Sequence, residues 1–277
     1  MAEFENWIGK NTIAVDLPTE RLVASFRSTL KPYLFDADSD TIPLGFHWCL
    51  APVIADLDSL GRDGHPAKGD FLPPVPLPRR MWAAGELAFL KPLCLNQTVQ
   101  KRSAIENIEE KQGRTGRLCF VTLGHIISSL SGEAIREKQI LVYRDDMNLE
   151  RSSSAPTENH ALNPIYQIEI DISPLMLFRY SALTFNGHRI HYDYPYARDV
   201  EHYPGLVIHG PLQATLLLNI AARFFGRSPQ SFTFRGINPA AGVSSLLFRI
   251  VAQSGDKIDL EAATCEGTIT MRASAAW

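Results

Sequence analysis

Cysteine is scarce in these 277 residues: Cys49, Cys94, Cys119 and Cys265 are the only four, and no two stand in a CxxC spacing. That excludes a disulfide framework and the usual cysteine zinc patterns, and it is the expectation for reduced thiols in a cytoplasmic protein. No stretch approaches the roughly 18 consecutive apolar residues that would span a bilayer. The first residues, MAEFENWIGK, carry acids and no apolar core, so no signal peptide or membrane anchor is expected. Charge of one sign is also lacking. Lys and Arg number 27 against 30 Asp and Glu, a net charge of −3, and nothing predicts a nucleic-acid partner.

What the chain does have is a cluster of imidazoles. Phe178 to Leu212 holds His188, His191, His202 and His209, four of the eight histidines in the chain. It runs directly into Pro211–Phe225 (PLQATLLLNIAARFF), where only Gln213, Asn219 and Arg223 are strongly polar. A stretch apolar all the way round predicts a helix enclosed by other structure, with Pro211 in its first turn and Gly226 just past its end. A His-bearing loop that leads into a helix start sets bases near neutral pH beside free backbone N–H donors.

The rest of the chain reads as two similar halves. Residues 16–33 have Leu22, Val23, Phe26 and Leu30 at helical spacing, with Asp16 or Thr19 as cap and Pro32 at the end. A second short helix is expected within Phe46–Leu60, interrupted by Pro52. Gly61–Pro78 is too rich in Gly and Pro for regular structure and too long for a plain connection, which favours a functional loop. Four strands are expected over Glu86–Lys91, Thr98–Lys111, Arg117–Ser128 and Ala134–Arg144, joined by short turns into an antiparallel sheet. Met147–Asn163 has the polar, Ser-rich character of a linker. After it come a strand over Leu177–Leu183, the His loop, the buried helix, and strands over Ser231–Ile237, Ser245–Ala252, Lys257–Cys265 and Gly267–Ala273. A duplicated α+β unit accounts for this order, with residues 1–146 and 164–277 as the two units and each helix on the concave face of its sheet.

The string SALTFNGHRIHYD, followed by HGP at the helix start, resembles the MaoC-like double-hotdog hydratases and dehydratases, as does LPRRMWAAGELAFLKPL in the first half. Within that group it is similar to the branch of type-2 3-hydroxyacyl-thioester dehydratases and of itaconyl-CoA and mesaconyl-C4-CoA hydratases. The resemblance implies two tandem hotdog units, the first building the acyl pocket and the second carrying the catalytic loop. The family motif is Asp-x-Asn-Pro-Leu/Ile-His. Laid on it, His191 takes the His position, Asn186 the Asp position, His188 the Asn and Arg189 the Pro. The implied reaction is addition of water to an α,β-unsaturated acyl-CoA, with no cofactor beyond the CoA of the substrate. A homodimer is a further expectation from the resemblance.

That chemistry needs a base for water, a proton for the α-carbon and donors to the thioester oxygen. His191 is the candidate base. Asn186 cannot be one, because an amide does not titrate near neutrality; it can orient water or substrate, or simply form the Asn-Gly turn with Gly187. Asp193 would share a strand face with His191 and orient the ring, or be a solvated acid. Gly210 offers a backbone N–H at the helix start as the oxyanion donor, and His209 is expected to be packed. His188 is a substrate-side candidate; HRIH lacks the further ligands of a zinc site, so no metal is expected. Arg79, Arg80 and Arg179 are the candidates for a substrate carboxylate or a CoA phosphate. A hydratase of a dicarboxylic acyl-CoA is the first reading. A 3-hydroxyacyl-thioester dehydratase of fatty-acid synthesis and a non-catalytic acyl-thioester-binding protein are the alternatives.

Overall fold

A computed structural model describes residues 4–35, 41–113, 116–145 and 163–277. The expected linker at 147–163 lies outside the described residues except for Asn163. The first half contains β1 (Asn11–Asp16), α1 (Glu20–Leu30), β2 (Arg79–Phe89), β3 (Val99–Gly113), β4 (Gly116–Ser129) and β5 (Gly132–Arg144). The second contains β6 (Tyr166–Asp171), α2 (Pro174–Thr184), α3 (Gly210–Phe225), β7 (Ser231–Gly236), β8 (Ser245–Ser254), β9 (Lys257–Ala263) and β10 (Ile269–Ala276).

The strands form one sheet in the order β1-β3-β4-β5-β2-β7-β10-β9-β8-β6. Within each half the first strand lies beside the third, and the second closes the row, so the halves share one topology. They meet where β2 pairs antiparallel with β7, from Ala84 opposite Arg235 to Ala88 opposite Ser231. This is the α+β double-hotdog arrangement, and the expected duplication is one continuous sheet.

The halves differ in what fills them. In the second, α3 is buried from Leu212 to Ala222 and lies against β7 to β10 and β2. Its polar residues are all satisfied, as buried polar groups must be. Gln213 accepts from Thr270 at 2.7 Å, and Asn219 donates to the Leu44 and Thr215 carbonyls and accepts from Phe35 N–H at 2.9 Å. Asn219 therefore ties first-half chain onto the second-half helix. In the first half no long helix occupies the matching place among the described residues. Phe46–Cys49 and Leu57–Ser59 are single 3-10 turns, not the expected helix, because Pro52 denies the segment a continuous hydrogen-bond ladder. The sheet there is covered by the Pro-rich loop, whose Val75 and Leu77 pack on Ile105, Val121 and Tyr143.

Two more expectations need correction. Leu177–Leu183 is not a strand but most of α2, capped by Ser173 Oγ accepting from Met176 N–H at 3.2 Å with Pro174 in the first turn. Arg179 therefore stands on a helix, and the strand of this region is β6, which the sequence reading omits along with β1. Strand β2 begins at Arg79 rather than Glu86, so Arg79 and Arg80 belong to the sheet.

Candidate active site

The site is built on the segment between α2 and α3. α2 ends at Phe185, which is left-handed at φ 51, and the chain turns sharply back: Asn186 N–H donates to the Ser181 carbonyl at 2.9 Å. The Asn186 side-chain oxygen accepts from His188 N–H at 3.0 Å, an Asx turn that fixes the next residues. A 3-10 turn over Arg189–His191 then points His191 inward, where it is buried.

His191 Nδ1 lies 2.7 Å from the Val207 carbonyl. A carbonyl only accepts, so Nδ1 carries the proton and Nε2 keeps its lone pair. Burial, reinforced by the neighbouring His209 and His188, holds the imidazole well below its ordinary pKa, so the ring is neutral at neutral pH. Its face stacks on His209 at 3.6 Å between centroids. His209 is fully packed at the α3 N-cap, with Nε2 and Ser181 Oγ 2.8 Å apart. The next residue is Gly210, in the first turn of α3, where backbone N–H groups have no acceptor within the helix. A side chain on Gly210 would meet only ordinary contacts, the nearest the Trp82 carbonyl at 3.7 Å, so glycine leaves its N–H approachable and is not forced by crowding.

A second chain segment reaches the same place. The Gly- and Pro-rich loop of the first half docks through Arg189 N–H donating to the Asp63 carbonyl at 2.9 Å, and Gly64 meets Gly187 so closely that a Cβ on either would collide with the other's carbonyl oxygen. This brings His65 onto His188 at 4.2 Å between ring centroids, and His188 onto His191 at 5.4 Å. Four imidazoles, His65, His188, His191 and His209, thus stand in a row. Glu201 Oε1 lies 3.2 Å from His188 Nε2. Asp63 holds His65 with both carboxylate oxygens: Oδ2 is 2.8 Å from Nδ1, and Oδ1 accepts from the backbone N–H at 3.1 Å. Asp63 is kept ionised by these contacts against the effect of burial. Burial dominates at His65 and brings it down to about 4. Among the described residues, Asp63, His65 and His188 offer donor atoms within 4.8 Å of one another, a set that could hold a metal.

The remaining expected residues fall in different surroundings. Asp193 does not orient His191; its carboxylate accepts from Arg189 at 2.7 and 3.0 Å and from Tyr196 N–H. The reason is that the segment is a 3-10 turn, so residues two apart do not share a face as on a strand. Arg79 is buried, donates to the Glu201 carbonyl and lies over the Tyr203 ring. Arg80 is half-buried near His65, Lys68 and Tyr143, on which its charge acts. Arg179 is exposed on α2, outside the cluster. Two recesses of the surface, of about 570 Å³ beside Arg235 and Arg272 and about 380 Å³ beside Phe35 and Phe89, are lined by none of the residues of the imidazole row.

Comparison with known proteins settles the family. The model for "Hydroxyacyl-thioester dehydratase type 2" matches residues 45–242. The chain belongs to the hydroxyacyl-thioester dehydratase type 2 family. A Chloroflexus aurantiacus protein named mesaconyl-C(4)-CoA hydratase is 39% identical over 277 residues, covering 99% of this chain and 97% of that one. The mitochondrial hydroxyacyl-thioester dehydratase type 2 of Schizosaccharomyces pombe is 27% identical over 81% of this chain and 85% of its own. Among solved structures, HtdX of Mycobacterium tuberculosis superposes with a TM-score of 0.71 at 18% identity, over 95% of this chain and 98% of the other, a likeness of fold.

The fold brings the expected Asn186, His188 and His191 into one turn, with His191 stacked on His209, the neighbour of Gly210. It adds Asp63, His65 and Glu201, which the sequence alone does not single out. The signal for the first two was the DGHP string inside a loop too long for a connector; Glu201 had none, since it meets His188 through a one-turn π helix at Tyr196–Val200.

Proposed function

We propose that this protein is a hydratase that adds water across the C=C bond of an α,β-unsaturated dicarboxylic acyl-CoA, itaconyl-CoA or mesaconyl-C4-CoA, giving citramalyl-CoA. The observation that carries the reaction is the fixed tautomer of His191, with Nδ1–H on the Val207 carbonyl and a neutral Nε2, one residue from the start of α3 in space and stacked on its cap. The 39% identity to the Chloroflexus hydratase over the whole chain supports the acyl group.

In this reading, on mesaconyl-C4-CoA, whose C=C bond is conjugated with the thioester, Nε2 of His191 takes a proton from water as the oxygen attacks the β-carbon. The π electrons move to the thioester oxygen, and Gly210 N–H donates to it while the dipole of α3 favours its charge. The imidazolium then returns the proton to the α-carbon, so the enzyme ends unchanged. The Nδ1–H bond to Val207 strengthens while the ring is charged, because a charged donor makes the stronger hydrogen bond. Asn186 contributes no proton; its oxygen already accepts from His188 N–H, and its amide N–H groups remain for water or substrate.

The family name and the S. pombe relative favour a second reading, a 3-hydroxyacyl-thioester dehydratase, which is the same chemistry run backwards. Hydration of itaconyl-CoA, mesaconyl-C4-CoA and crotonyl-CoA measured side by side decides. Turnover of the dicarboxylic thioesters with little of crotonyl-CoA supports the first reading; preference for crotonyl- or longer enoyl-CoA replaces it with the second. No turnover of any of them would leave the non-catalytic acyl-thioester binder.

A further inference from the structure

The ring of His191 is held by one hydrogen bond, from Nδ1 to the Val207 carbonyl at 2.7 Å. One such bond does not fix the plane of the ring, so the direction of Nε2 depends on what packs against it. His209 lies on its face, 3.6 Å away between centroids and only 18° from parallel. His188 meets it at nearly a right angle, 86°, with centroids 5.4 Å apart. His209 is in turn fixed from α2: Ser181 Oγ lies 2.8 Å from its Nε2, and the Tyr180 ring stands against it at 5.1 Å.

Neither the helix nor the core accounts for an imidazole at position 209. It is the N-cap of α3, where Ser, Thr, Asp or Asn would accept from a first-turn N–H, and its side chain makes no such bond. It is 1% exposed, and its Nδ1 is buried without a hydrogen-bond partner among the described residues. An unmatched buried polar atom costs stability, a cost that an apolar ring of similar shape avoids. What the imidazole does supply is a flat face under His191 together with a polar atom for the Ser181 tether. Burial brings His209 down to about 3, so its face is uncharged when His191 takes up a proton. A neutral aromatic face accommodates a cation, whereas a second imidazolium would repel it.

We propose that His209 is a positioning residue whose ring, tethered by Ser181, fixes the plane of His191 so that Nε2 faces the attacking water. This rests on the reading of His191 as the base. The tether spans two elements, because Ser181 sits on α2 and His209 at the start of α3. The Ser181 carbonyl also accepts from Asn186 N–H at 2.9 Å, at the turn that leads to His191. The turn that delivers the base and the platform that receives it therefore share one anchor.

The test uses the full-length protein with His209→Ala, His209→Phe and Ser181→Ala, beside His191→Ala. Hydration kinetics are measured with mesaconyl-C4-CoA and crotonyl-CoA. His209→Ala is expected to lose about 30-fold or more in kcat, with KM changed by less than about threefold. His209→Phe keeps the face and loses the tether, and is expected to recover to within about tenfold of the unaltered protein; Ser181→Ala is expected to lose about three- to tenfold, in kcat alone. A second readout needs no substrate. The Nδ1–H proton resonance of His191, identified by its loss in His191→Ala, is expected to exchange with solvent about tenfold faster in His209→Ala. A folded His209→Ala with unaltered kcat and exchange rate overturns the assignment, as does a folded His209→Phe no better than His209→Ala. Circular dichroism and Tm identify a folding failure at position 209, in which case Ser181→Ala decides: unaltered kcat and exchange rate overturn it. If His191→Ala hydrates at the unaltered rate, or neither thioester reacts, it is the reading of His191 as base that fails, and the exchange rate alone judges the platform.

Discussion

His191 donates its Nδ1 proton to a backbone carbonyl, whereas a carboxylate would have raised its basicity. Burial and two neighbouring imidazoles keep it neutral far below pH 6.5, so the reactive form persists into acid. The acid limb of kcat/KM is therefore expected below pH 6.5, with a flat profile from there to neutrality. A limb centred at or above the ordinary imidazole value would assign the base elsewhere. Asp193 serves Arg189, so Asp193→Asn is expected to change kcat less than tenfold while lowering Tm by a few degrees. A loss near that of a base deletion would return Asp193 to the chemistry. At this scale the motif residues were legible because Asn186, His188 and His191 lie in one turn. Asp63 and His65 were not, since their contact with His188 spans more than a hundred residues and only the docked loop creates it.

α3 and the loop are the elements that hold the site. α3 was readable because it is apolar on every face and bracketed by Pro211 and Gly226, the latter left-handed at φ 77. α2 was misread because Leu177, Ser181 and Leu183 also fit a two-residue alternation. Its decisive signals were the Ser173–Pro174 start and an end at Phe185, where no glycine announces the left-handed cap. Asn219 is buried and makes three side-chain hydrogen bonds, two of them joining α3 to residues 35 and 44 and one to the Thr215 carbonyl within α3, so Asn219→Ala is expected to cost about 2–4 kcal/mol, read by urea unfolding. A cost under 0.5 kcal/mol would mean that the tie between the halves lies elsewhere. Gly64 combines φ +86 with close approach to Gly187. Gly64→Ala should push the loop off the His segment and lower kcat/KM at least tenfold, with a smaller effect on Tm. Unchanged kinetics would show that the docked loop is not needed.

Across the whole molecule the buried imidazoles set the response to acid. His47, His125 and His209 are brought down to about 3, and His65 to about 4, mainly by burial. The unfolded chain takes up protons near pH 6.5 and the folded one does not. Their contribution to stability is present above pH 6.5 and is lost as the pH falls toward 4 and then 3. Each such group removes about 1.4 kcal/mol per pH unit in that window. Glu137 acts oppositely: burial raises its carboxyl, and acidification relieves that cost toward the ordinary glutamate range. The urea midpoint is expected to fall between pH 7.5 and 5.5, ahead of carboxylate protonation; a flat or rising midpoint would contradict this. The duplicated order of strands was readable from the turn spacing. Their fusion into one sheet was not, because the β2–β7 pairing joins strands that no local pattern connects.

His191 moves the proton in the proposed mechanism, and its most direct measurement is the rate of mesaconyl-C4-CoA hydration by His191→Ala at pH 7.5. Positioned acid–base groups contribute about 10²–10⁴-fold. For His191→Ala, kcat is expected to fall by that much, with the fold retained and KM changed by less than tenfold. A variant that keeps its structure and hydrates at the rate of the unaltered protein would contradict it.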